Sequence, residues 1–95
     1  MTYTRDSAHD LAMTVLLYMV ERPDLIGQFL DSSGLQPQDL RQAAGSSDIA
    51  LHVLDFLLED DRRVLEAARD LDIAPGEVMA ARTALAGPGS YGWEV

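Results

Sequence analysis

Cysteine and lysine are both missing from this chain of 95 residues. Without cysteine there is no disulfide framework, no thiolate nucleophile and no ligand set for the commonest structural zinc sites. A reducing, cytoplasmic setting is the expectation that fits. Without lysine, no ammonium can grip a phosphate or form a Schiff base, and all basic side chains are arginine. Aromatic residues are few, at 6%. Long apolar runs are missing too: the longest, residues 11–20 with Thr14 inside it, is about half the length that spans a bilayer. The first residues lack the basic stretch, apolar run and small-residue cleavage site of a secretion signal, so no membrane association is expected. Basic charge is also scarce, with 7 basic against 16 acidic residues and a formal net charge of −9. Such a field repels nucleic-acid phosphate and anionic lipid, and its simplest use is solubility.

What is present is helix signal. Alternation of period two is absent, and apolar residues recur at helical spacing throughout. The length suits one small domain with a single core, whose net stability is of the order of several kcal/mol. The sequence predicts an all-α fold, a compact bundle of about five or six short helices occupying residues 1–88, followed by a flexible tail over 89–95. Residues 1–5 read as frayed, with Asp6 or Ser7 as the first cap. Ala8, Leu11, Ala12, Val15, Leu16 and Met19 form the inward stripe of the first helix. Leu17, Tyr18 and Val20 extend that stripe until the helix is apolar nearly all round. Pro23 ends it. A second helix over about residues 24–32 turns Leu25, Ile26, Phe29 and Leu30 inward and closes at Gly34. Pro37 opens a short third helix that Gly45 closes. Ser46, Ser47 and Asp48 cap the fourth, whose inward residues are Ile49, Val53, Leu54, Phe56 and Leu57. The fifth, about 61–71, presents Val64, Leu65, Ala68 and Leu71. Pro75 opens the sixth, which Gly87 and Pro88 stop.

A shift of 38 residues, which carries Pro37 onto Pro75, superimposes one half of this pattern on the other. Leu11 to Val20 falls on Ile49 to Leu58, and the connector 35–40 falls on 73–78 as aliphatic, any, Pro, any, acid, aliphatic. Residues 7–45 and 46–87 are therefore candidate repeat units, each of three helices. Packed about a pseudo-twofold axis, they would place the two long helices at the centre.

No active-site signature is present. His9 and Asp10 are adjacent on a helix and point about 100° apart. Gly45-Ser46-Ser47 lacks the pattern of a nucleophile elbow or a phosphate loop. Asp48, His52, Asp55 and Glu59 share one stripe of the fourth helix and are the candidate metal ligands, for a metal-binding protein or metal-dependent hydrolase. The simpler reading of that stripe is the solvated side of an amphipathic helix, and no cofactor or metal is expected. Gln36, Gln38, Arg41 and Gln42, at a turn between short helices, outline a weak helix-turn-helix alternative; with so few arginines nearby, no nucleic-acid partner is expected. The favoured reading is a non-enzymatic interaction or adaptor module with an unidentified protein partner or a second copy of itself. Leu17 and Tyr18, with Met13, are the candidate contacts on the first helix, and Tyr91, Trp93 and Val95 those in the tail.

Several of these elements together resemble a known family. They are the apolar first helix ending in a proline step, Phe29-Leu30, Gly34-Leu35-x-Pro37-x-Asp39-Leu40-Arg41, Ala43-Ala44-Gly45 and Val53-Leu54-Asp55-Phe56-Leu57-Leu58. The family is one of short bacterial proteins classed as a domain of unknown function. The resemblance covers about residues 8–87. It implies an all-helical cytoplasmic domain and brings no activity, cofactor or site residue with it.

Overall fold

The computed structural model describes residues 3–43 and 46–86. It is all-α: α1 (Arg5–Val20), α2 (Pro23–Ser33), α3 (Pro37–Ala43), α4 (Ser47–Leu58), α5 (Asp61–Leu71) and α6 (Gly76–Ala86). No strand occurs among the described residues. Gly45, Gly87, Pro88 and the tail with Tyr91, Trp93 and Val95 lie outside them.

Local chemistry sets the helix ends. α1 starts earlier than the sequence suggests, because Thr4 and Ser7 cap each other reciprocally. The Ser7 amide donates to the Thr4 hydroxyl at 3.1 Å and the Thr4 amide to the Ser7 hydroxyl at 2.9 Å. Serine stands here in the place of the usual Glu or Gln of a capping box, which is why the signal was read two or three residues late. Ser46 caps α4 by accepting from the Ile49 amide, and Asp60 caps α5 by accepting from the Arg62 amide. α2 ends at Gly34 with φ 75° and α5 at Asp72 with φ 58°, both left-handed.

The α1 and α4 starts are not equivalent, but other ends recur at the spacing of 38. Pro23–Ser33 becomes Asp61–Leu71, Glu21 and Glu59 both close their helices, and Gly34 corresponds to Asp72. In the connectors the Gln36 amide donates to Asp39 at 3.1 Å and the Ala74 amide to Glu77 at 2.8 Å.

The tertiary arrangement is less even. α1 and α4 pack together as expected, but α6 packs against both and shares the centre. α2 lies on α1 as α5 lies on α4, while α3 rests chiefly on α4. Alanines at the contacts, Ala8 and Ala12 of α1, Ala50 of α4 and Ala81 of α6, are fully buried. Small side chains there let the three axes approach closely. Val15, Met19, Val53, Leu54, Leu57 and Val78 fill the centre, and Phe29 meets Phe56 edge to face at 5.4 Å. Burying each such large side chain contributes about 1.5–3 kcal/mol.

Two expectations need correction. Leu65 is 58% exposed, and Ala67 takes its place in the core of α5 beside Val64 and Ala68. The stripe 64, 67, 68, 71 has helical spacing, and Leu65 lies about 100° off it. In α2 only Phe29 is fully buried, with Leu25, Ile26 and Leu30 half-covered.

Candidate functional site: an apolar groove beside a polar cleft

The polar stripe of α4 does not gather three potential metal ligands around one point. Asp48, His52 and Glu59 are exposed, and no cluster of three or more potential ligands occurs among the described residues. Successive members of the stripe lie about one helical turn apart, roughly 5–6 Å, too far for one ion to hold them all at about 2.0–2.6 Å. Two of the four are also engaged: Asp55 is paired with Arg82 of α6, and Glu59 lies 3.5 Å from Arg63. Gln38, Arg41 and Gln42 lie on α3 rather than in a turn, with Gln36 just before it; all four are exposed and Leu40 is buried. Asp39 accepts from the Gln36 amide at the start of that helix.

A polar cleft of about 380 Å³ lies where the α1–α2 turn faces α5. Tyr18 and Arg22 line it from the first turn, Gln28 from α2, and Arg63 and Asp70 from α5. The Arg22 guanidinium lies 3.7 Å above the Tyr18 ring and donates to the Tyr18 carbonyl at 2.9 Å. Arg63 does the same at the equivalent end of α4, 3.8 Å above the Phe56 ring and donating to the Phe56 carbonyl at 2.8 Å. Each arginine thus caps a helix C-terminus and covers an aromatic face. The Tyr18 hydroxyl donates to Asp70 at 3.0 Å, and Arg22 reaches the same carboxylate at 3.4 Å. Burial, followed by the Asp70 bond and its charge, raises the Tyr18 phenol above its ordinary pKa, while that bond is the main cause of the lowered pKa of Asp70. These groups satisfy one another, and no buried side-chain polar atom lacks a partner among the described residues. The cleft is a joint between helices.

The second cavity has the opposite chemistry. It is a groove of about 470 Å³ with almost wholly aliphatic walls. α1 contributes Leu16, Leu17 and Val20; α2 contributes Ile26 and Leu30; α3 contributes Pro37, Leu40 and, at the polar margin, Arg41. Leu17 is 66% and Val20 52% exposed. Of the contacts expected on α1, Leu17 therefore stands free at the groove. Tyr18 does not, since it is only 6% exposed and is held under Arg22.

The groove marks the place where the two halves differ. α4 packs along α6, whereas α1 makes no comparable contact with α3. At the positions 38 residues on from Leu17, Ile26 and Leu30 stand Asp55, Val64 and Ala68. Asp55 pairs with Arg82 of α6, so the position that holds an exposed leucine on α1 holds an inter-helix ion pair on α4. Sequence reading found Leu17 but missed Val20, Ile26 and Leu30 as an open surface. The one available signal was Asp55, a carboxylate in one half opposite a leucine in the other.

Comparison with known proteins places the chain at this point. It belongs to the family described as Protein of unknown function (DUF3572). The match runs over residues 5–88 and so takes in all six helices and the walls of both cavities. No curated protein and no solved structure matches the chain. The DUF3572 description names no activity, so a functional reading rests on the groove. No helix among the described residues is long and apolar enough to cross a membrane.

Proposed function

We propose that the chain is a non-enzymatic protein-interaction module that binds a protein partner through the α1–α2–α3 groove. One observation carries this reading: two large aliphatic side chains, Leu17 and Val20, stand exposed over a concave aliphatic wall. Small domains rarely leave such a surface uncovered unless it is used. Full burial of a large aliphatic side chain contributes about 1.5–3 kcal/mol, so covering the exposed parts of these two adds on the order of 2 kcal/mol to binding. The same reading takes the two halves as diverged three-helix units, supported by the recurrence at 38 residues of the α2 and α5 bounds and of the connector bond after each. It also sets the protein in the cytoplasm, supported by a composition without cysteine.

The test is comparative capture with wild type and the double variant Leu17→Gln, Val20→Gln. Both positions are exposed and helical, so the variant should keep its circular dichroism and melting temperature. A partner held by wild type and lost by the variant supports the groove. An identical set of partners on both proteins overturns it.

A further inference from the structure

We infer that the occupant of the groove is an amphipathic helix of a partner protein, with large aliphatic side chains on one face and basic residues on the other. This inference rests on the protein-interaction reading of the groove. The helical form follows from what the walls offer. They are helices, whose backbone amides and carbonyls are spent on their own ladders, and the lining side chains are aliphatic apart from Arg41. An extended segment lying there would find no strand edge to pair with and would leave its backbone groups unmet. A helix satisfies its backbone internally and delivers side chains at i, i+3 or i+4, and i+7. The fold fills the equivalent position in its second half in this way: α6 packs along α4, where α1 and α3 stay apart.

Charge complementarity supplies the rest. The chain carries a net charge of −9, and the exposed Glu21 and Asp31 follow the wall residues Val20 and Leu30 in sequence, outside the groove lining itself. Against these, Arg41 is the lone cation lining the groove. A helix with lysines on its outer face is attracted to such a surface, and a second copy of this acidic chain is repelled by it.

The experiment uses synthetic peptides of about 16 residues, long enough for roughly four helical turns. The first carries leucines at i, i+3, i+7 and i+10 with lysines elsewhere. The second is the same peptide with two central lysines replaced by prolines, and the third replaces the lysines with glutamates. Binding to the full chain is followed by fluorescence anisotropy at low and high salt. The expected result is binding of the first peptide only, weakening as salt rises, and falling about tenfold in the Leu17→Gln, Val20→Gln variant. Equal binding of the proline peptide overturns the helical occupant while leaving the groove intact. Equal binding of the glutamate peptide overturns the basic face. Unchanged binding to the double variant puts the peptide elsewhere and counts against the groove reading itself. Failure of every peptide to bind overturns this inference alone, since capture tests the groove separately. Sedimentation at two concentrations provides the remaining arm: a wild-type dimer that the double variant abolishes would make a second copy the occupant and overturn the partner helix.

Discussion

Residues 5–43 and 46–86 share the ends of α1 with α4 and of α2 with α5 at a spacing of 38 but reach different tertiary positions. α2 and α5 have the same length, and the connectors after them close with the same amide-to-carboxylate bond. Yet α3 is 7 residues and peripheral, while α6 is 11 residues and packs between α1 and α4. Capping and turns depend on a few neighbouring residues, so they survive sequence change easily. Packing of one helix along another depends on every side chain at the contact, so it is not fixed by the few residues that fix a cap or a turn. One half holds itself closed through Asp55 and Arg82, and the other remains open with Leu17 in the corresponding place.

The largest effect should come from the pair Leu54 and Leu16, which occupy equivalent positions. Leu54→Ala opens a cavity at a fully buried site and should cost about 3–5 kcal/mol, against about 2–3 kcal/mol for Leu16→Ala beside the groove. Denaturant titration of both measures the difference, and equal costs would mean the two halves are packed alike.

Next in size is the pair of left-handed helix ends. Gly34→Ala should destabilise by about 1 kcal/mol, because a Cβ at φ 75° is strained even though it meets no atom within 4 Å. Asp72→Gly should stabilise by a similar amount, about 1 kcal/mol, by relieving that strain at φ 58°. If Asp72→Gly instead destabilises, the aspartate side chain makes a contribution of its own there.

Titration separates the two ends of the molecule more gently. The Tyr3 hydroxyl of the segment before α1 donates to Glu77 of α6 at 2.5 Å, and burial with that bond pushes Tyr3 from 10.0 up to about 12. A phenol with a raised pKa stabilises the fold fully below pH 10 and loses that contribution as pH climbs toward 12. Tyr3→Phe should therefore flatten the alkaline limb of the stability curve. Asp70 and Glu77, lowered chiefly by their tyrosine bonds, stabilise above the ordinary carboxylate range and lose that contribution as acid protonates them. Tyr18→Phe should reduce the acid-side slope, and an unchanged slope would remove the Tyr18–Asp70 bond from the account.

The smallest effect is expected at Leu17. Leu17→Asp installs the residue that the other half carries at Asp55, on an exposed helical site, and should change stability by no more than about 0.5 kcal/mol. A cost several times larger would show that Leu17 is covered by its own fold and that the groove is not free.

Most of the fold was legible because helix ends are written locally. Pro23, Gly34, Pro37, Ser46 and Pro75 each mark a boundary within a residue or two of the observed one. The Thr4 cap was missed because its partner is a serine, and Leu65 was placed inward because adjacent leucine and valine compete for one stripe. Of the candidate site, Leu17 was legible as an excess of apolar surface on α1. Tyr18 was not, since its burial depends on Arg22 and on Asp70, the latter 52 residues away in sequence.

The sequence by itself determined the helices and most of their boundaries, since each is fixed by residues within a turn or two. Only the tertiary structure decided that α6 closes over α4 while α3 leaves α1 uncovered. That outcome depends on contacts between residues far apart in sequence, among them Asp55 of α4 with Arg82 of α6. No local pattern contains such a contact, and the groove in the other half is the surface on which the proposed function rests.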